Sequence, residues 1–304
     1  MMSARMATSF ICFLLGSTRM HRIHYPRTPG RIAFVPRLER DDGVEIHWEE
    51  RGEGPLVVLA PYSIFHPSVY DSVATDLATD HRVLRYDDRG TGESSRQGPY
   101  DMQTGAADLA AVIEAAGEPA VIVGLGDASN RAVRAYAERP DLIEAMVVPG
   151  GMPAGRGALA GSEAMASSDT VVNAFLSMYE TDYRGALRSL ITSGNPQMTE
   201  AEIRERVRQQ ADYQPQETAL ARLRAWVNDD ALEPARACGD RLWLLCSETM
   251  GGGWFPAGRE AMKLSRELFP EAHVEEVEDG LMSRPDLTAG VVRRVRSKPR
   301  AARA

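Results

Sequence analysis

The sequence predicts an α/β fold: a doubly wound, mainly parallel sheet carrying an inserted helical cap. Three observations predict it. Short apolar runs alternate with segments of helical spacing from Val44 to Val148. The alternation then gives way to a stretch from about Gly161 to Asp230 that has helical spacing only, and it resumes from Leu242 to Val295. Strands alternating with helices at this pitch imply βαβ units and a parallel sheet. A helical block inserted late reads as a cap over the carboxyl edge, where such sheets bind ligands.

Taken in order, Ile32–Leu38 and Val44–Glu49 read as short strands joined by the turn Asp41-Asp42-Gly43. Leu56–Leu59 is a continuous apolar run, the mark of a strand buried on both faces. Val69–Ala78 has helical spacing, Arg82–Tyr86 is the next strand, and Thr104–Ala116 is a helix ended by Gly117. Ala120–Val123 reads as a strand, Asn130–Arg139 as a helix stopped before Pro140, and Ala145–Val148 as a strand. In the helical block the spacing predicts helices over Thr170–Tyr179, Gly185–Thr192, Glu200–Ala211 and Thr218–Val227. The third opens with a capping box, Thr199-x-x-Glu202. Strand Leu242–Cys246, helix Gly258–Leu268, strand Val274–Val277 and helix Leu287–Val295 complete the pattern.

The 304 residues divide into an N-terminal segment (1–30), a core (31–153 and 235–296), a cap (154–234) and a basic tail (297–304). A net charge of −8 argues against nucleic acid or an anionic membrane as partner. The cap's Phe175, Met178, Tyr179, Tyr183, Tyr213 and Trp226 read mostly as core, with a minority lining a chamber for an apolar small molecule, and a homodimer is an open option. The arginines and lysine between Arg293 and Arg303 run the other way and read as a solvated tail. Cys12, Cys238 and Cys246 are odd in number and lack CxxC spacing, so neither a disulfide framework nor a metal site is indicated and a cytoplasmic setting fits. Arg5 followed by the apolar run Phe10–Leu15 loosely resembles a secretory signal. The run is short and lacks an A-x-A site, so the segment reads as disordered or mis-started, with Met20 an alternative start.

Three motifs now carry a resemblance. They are Asp87-Asp88-Arg89-Gly90-Thr91-Gly92-Glu93-Ser94 after a strand, the strand–turn–helix stretch Val121–Ile143 with its Pro140, and Ser283-Arg284-Pro285-Asp286. Their order and spacing are similar to those of the α/β-hydrolase family. The resemblance implies a nucleophile at the centre of G-x-S-x-G, an acid after a late strand and a histidine after the last strand. The turn here reads Gly124-Leu125-Gly126-Asp127-Ala128, which places Gly126 where the serine belongs. Met250 stands at the acid position, and the last loop offers only Leu281 or Met282. A glycine has no atom to attack with, so an acyl-enzyme at that position is excluded.

Expected chemistry therefore rests on other groups. Asp127 at the start of a helix either exchanges a proton with substrate or simply caps that helix through its side chain. A one-residue slip would make Asp127 the nucleophile of a hydrolase, and Ser129 is a weaker candidate for a displaced one. His66 falls on the loop that overhangs the site in the family, as a base of near-neutral pKa, and Glu248 lies two residues before the missing acid. Tyr62, Ser63, Gly126, Met152 and Met282 are expected to contact substrate, the Tyr62 N–H serving as second oxyanion donor. Asn130 and Arg131 read as exposed, and Asp87, Asp88 and Arg89 as structural. The functional expectation is non-hydrolytic proton-transfer chemistry (elimination, cyclisation or isomerisation) on an apolar acyl or polyketide-like molecule, with no metal or cofactor. The alternatives are a non-catalytic binding module for a small molecule or a protein on the same scaffold, and the Asp127 hydrolase.

Overall fold

The computed structural model describes residues 37–150, 153, 163–194, 197–246, 258–277 and 285–297. Its strands are β1 (Arg37–Glu39), β2 (Glu45–Arg51), β3 (Leu56–Ala60), β4 (Arg82–Tyr86), β5 (Ala120–Gly124), β6 (Ile143–Pro149), β7 (Leu242–Cys246) and β8 (His273–Glu276). They form one sheet in the order β1-β2-β4-β3-β5-β6-β7-β8, antiparallel at β1–β2 and β2–β4 and parallel elsewhere. The chain moves one way from β3 to β4, then crosses back to lay β5 on the other side of β3. That reversal makes the crevice beyond the carboxyl ends of β3 and β5 the place where an open α/β sheet takes ligands.

The apolar runs form strands because both faces of the sheet are covered. Leu56 and Val58 belong to one core cluster with α2 (Met102–Ala116) and α3 (Asp127–Glu138). Val57 and Leu59 belong to the opposite one, with α1 (Asp71–Leu77) and α10 (Pro285–Ser297). All four are at most 1% exposed. Burying each such side chain contributes roughly 1.5–3 kcal/mol, and this outweighs local preference in choosing strand over helix.

Helices α4 (Glu163–Thr181), α5 (Tyr183–Gly194), α6 (Glu200–Tyr213) and α7 (Gln216–Val227) lie between β6 and β7 in sequence. They share a third apolar cluster with Tyr62 and Ile64 of the β3 loop. The Thr199/Glu202 capping box at the start of α6 is present. Among the described residues three short elements had no sequence signal: α8 (Leu232–Arg236), too short to show a period, and the 3₁₀ turns Pro67–Tyr70 and Gly239–Arg241. The last helices are α9 (Gly258–Leu268) and α10. Helix α3 begins at Asp127 rather than Asn130, because only Leu125 and Gly126 separate it from β5. Helix α4 reaches back to Glu163 through small residues that carry no apolar period.

Candidate functional site

The sheet register builds the site. Ala60 of β3 pairs with Gly124 of β5, so Tyr62 and Gly126, each two residues further on, emerge side by side above the carboxyl edge. Gly126 is the turn between β5 and α3, at φ 52° and ψ −123°, a conformation that side chains with a Cβ adopt only under strain. The Leu125 N–H donates to the Tyr70 hydroxyl at 3.2 Å, and the Ser129 Oγ–H donates back to the Gly126 carbonyl at 2.6 Å. This sharp strand-to-helix turn is where the family resemblance led to the expectation of a nucleophile, and it carries a glycine.

The space over that glycine belongs to aromatic rings. A Cβ at Gly126 would meet Tyr62 Cζ at 2.9 Å and Trp226 Cη2 at 3.1 Å. The two rings contact edge to face, centroids 5.8 Å apart, and Phe65 lies 5.3 Å from Tyr62 on another side. Leu125, Gly126, Phe65 and Trp226 are each half-buried, so the turn presents a partly open apolar floor rather than a sealed one.

Beneath the floor lies a buried charge cluster. Asp127 is 0% exposed, and its side chain does not cap its own helix. It reaches across to the β3 loop, where one carboxylate oxygen accepts from the Ser63 N–H at 2.9 Å. The other accepts from the Ser63 hydroxyl at 2.5 Å and from Arg131 at 3.0 Å. Arg131 also donates to Asp88 at 2.5 Å and to the Pro61 carbonyl. From the cap, Arg222 donates to the Ser63 Oγ at 2.8 Å and to Asp88. Two carboxylates thus meet two guanidiniums in a water-poor interior, the arrangement that makes buried charge tolerable. Burial disfavours charge on Arg131, but Asp88 and Asp127 overcome it and hold the guanidinium above its ordinary pKa.

The expectation that Asn130 and Arg131 are exposed is corrected: each is 1% exposed. Burial of a cation is permitted because Asp127 sits at i−4 on the same helix face and Asp88 closes the other side. Gly105, at the end of the first turn of α2, makes room for it, since a Cβ there would lie 2.6 Å from Arg131 Cδ. Arg222 was missed in the sequence for the same reason, an arginine reading as surface until its partners are known. Asp88 has the structural role expected, as has Arg89, which donates to Asp108 at 2.6 and 2.8 Å.

His66 lies on the β3 loop but is already engaged. Its Nδ1 accepts from the Ser68 N–H at 3.2 Å, capping the 3₁₀ turn, and its ring packs on Tyr213 with centroids 5.1 Å apart. Burial pushes the imidazole down to about 4, with Arg206 adding to the effect, so it is neutral at physiological pH. Between pH 6.5 and about 4 the unfolded chain binds a proton that the folded chain refuses. His66 therefore contributes stability that is complete above pH 6.5 and is lost as pH falls through that window. His66→Asn keeps a capping acceptor without titrating. The wild type should lose stability more steeply than this variant when urea midpoints are compared at pH 7.5 and 4.5, and parallel losses would refute the assignment.

Glu248, Met152 and Met282 lie outside the described residues, as do Met250 and Leu281. Among the described residues, no group of three or more His, Cys, Asp or Glu is placed to hold a metal ion, and no helix is long and apolar enough to cross a membrane. Burial raises both described thiols, Cys238 to about 12, so neither supplies a thiolate.

No family model matches the chain. Solved structures do match its shape. An esterase from Exiguobacterium antarcticum aligns with a TM-score of 0.71 at 16% identity, covering 87% of this chain and 100% of its own. An α/β-hydrolase enzyme, MGS-M2, from a Medee basin deep-sea metagenome library aligns at 0.69 with 15% identity, covering 88% and 99%. The enol-lactonase of Burkholderia xenovorans LB400 aligns at 0.64 with 18% identity, covering 86% and 100%. At such identities the likeness is one of fold, and the fold is that of the α/β-hydrolases.

Proposed function

We propose that this chain is an α/β-hydrolase-like protein that holds an apolar acyl or polyketide-like small molecule between the Gly126 turn and the helical cap, without forming a covalent intermediate. The observation that carries the reading is the turn itself. It keeps the strained geometry of a nucleophile turn, yet a glycine occupies it and the Tyr62 and Trp226 rings lie over it. The half-buried apolar floor suits a ligand of that class, and the overlying cap supplies the roof. The odd cysteine count supports a reducing, cytoplasmic setting for it.

A second reading, non-hydrolytic proton transfer, is favoured by one contact: the Ser63 hydroxyl donating to Asp127 at 2.5 Å, beside the turn. A hydroxyl on a carboxylate is a pair through which a proton can pass. Solved structures of this shape include proteins named esterase and enol-lactonase. Against it, both oxygens of Asp127 are occupied and the carboxylate touches no solvent. Binding is therefore the better supported of the two.

The test is a thermal-shift screen with apolar esters, lactones and ketones, run beside fluorophosphonate labelling and product analysis. A ligand at a hundredfold excess over its Kd should stabilise by about 2.7 kcal/mol, with no labelled serine and no product. Stoichiometric serine labelling with ester turnover would overturn both readings. Turnover without labelling, abolished in Asp127→Asn, would select the second.

A further inference from the structure

Among the described residues of the cap, two buried hydrogen-bond donors have no acceptor. The Tyr179 hydroxyl, on a residue 1% exposed, makes no hydrogen bond. The Gln214 Nε2, on a residue equally buried, makes none either, while its Oε1 accepts from Gln210. Tyr183 links the two, its ring 5.3 Å from that of Tyr179 and its hydroxyl donating to the Gln214 carbonyl at 2.9 Å. Buried phenols and amides almost always find partners, because leaving one unmade costs the desolvation of the group. Tyr179 and Tyr183 sit in the same apolar cluster as Tyr62, whose ring covers Gly126.

The chemistry of the acceptor follows from the surroundings. Burial pushes the Tyr179 phenol well above its ordinary pKa, and Tyr183 and Tyr62 push it further, so it remains a donor. Its ring packs on those of Phe175 and Tyr183, with centroids 4.8 and 5.3 Å away, inside an apolar cluster. A carboxylate placed there would be buried without a countercharge, whereas a neutral carbonyl would not.

We propose that Tyr179 anchors the bound molecule by donating its hydroxyl to a neutral carbonyl oxygen, which makes the ligand an apolar ketone, ester or lactone. This rests on the reading that the cap and the Gly126 turn enclose a small molecule. The Tyr62 and Trp226 side of the chamber takes the apolar body, and the Tyr179 side takes the oxygen.

Three probes of like size and different head groups test it: 4-phenyl-2-butanone, butylbenzene and 4-phenylbutanoate. Each is titrated into wild type and Tyr179→Phe by ligand-observed NMR, with butylbenzene displacement showing that the site is shared. The ketone should bind the wild type and lose about fivefold in affinity in Tyr179→Phe. The hydrocarbon should bind both proteins equally, and the carboxylate should bind only as pH falls toward its own pKa. Because the variant removes only an unbonded hydroxyl, its melting temperature should not fall, which separates lost recognition from lost folding. Equal ketone affinity in the two proteins would overturn the anchor, assigning the hydroxyl to an internal water, while hydrocarbon binding kept the chamber. Binding of none of the probes would overturn the anchor and the chamber together.

Discussion

Arg131→Met should lower the stability of this protein by about 3–5 kcal/mol, the cost of stripping one partner from a buried ion cluster. Methionine fills much of the same volume, so the loss is electrostatic rather than a cavity effect. Arg131 donates to Asp88 at 2.5 Å and to Asp127 at 3.0 Å, all three residues being at most 2% exposed. Without it Asp127 keeps the Ser63 hydrogen bonds, but its nearest guanidinium becomes that of Arg222, 3.8 Å away. The urea midpoint should fall with an unchanged denaturant slope, as fits a loss of stability without a change in the surface exposed. Adding Asp127→Asn to Arg131→Met should cost less than the sum of the two single changes, because it removes the stranded charge. High salt should change the result little, since ions do not reach a buried pair. A loss under 1 kcal/mol would show that water reaches the cluster, which would reopen Asp127 as a proton-transfer group.

Gly126→Ser, the change that puts back a nucleophile's side chain, should destabilise the fold by about 2–4 kcal/mol and produce no esterase. Two costs combine. A Cβ at φ 52° is strained, and the new atom overlaps the Tyr62 ring, so ring and loop must shift. Tyr62→Ala in the same chain should recover part of the loss by removing the overlap, leaving the backbone strain. Activity should still be absent, because the sequence between β8 and α10 contains no histidine to take the serine's proton. Hydrolysis of p-nitrophenyl acetate and the urea midpoint read out both effects. A serine that hydrolysed ester above background would mean that a base elsewhere serves the turn, and the reading of this site as non-covalent would fall.

Much of this was legible in the residues alone. The strands announced themselves because a parallel sheet covered on both faces demands unbroken apolar runs, as at Leu56–Ala60 and Leu242–Cys246. The turn at Gly126 was legible because counting back from Pro140 in the family-like strand–turn–helix stretch leads to it. What could not be read was which polar residues turn inward. Asp127 was weighed as a cap and as a proton carrier, and it is bound instead to Ser63, 64 positions away in the chain. Arg131 and Arg222 look like any surface arginine, and each is buried by carboxylates that only the folded chain brings near. His66 was correctly placed on its loop, yet its lone pair is spent on Ser68.

The sequence by itself determined the sheet, the helical cap and the glycine at the turn. These follow from local periodicity and from the identity of single residues. Only the tertiary structure decided that Tyr62 and Trp226 stand over Gly126, and that two aspartates and two arginines close beneath it. Those contacts join residues from the β3 loop, the β4 loop, α3 and α7. Their energies depend on distance and on the exclusion of water, and neither is written in the spacing of residues along a chain.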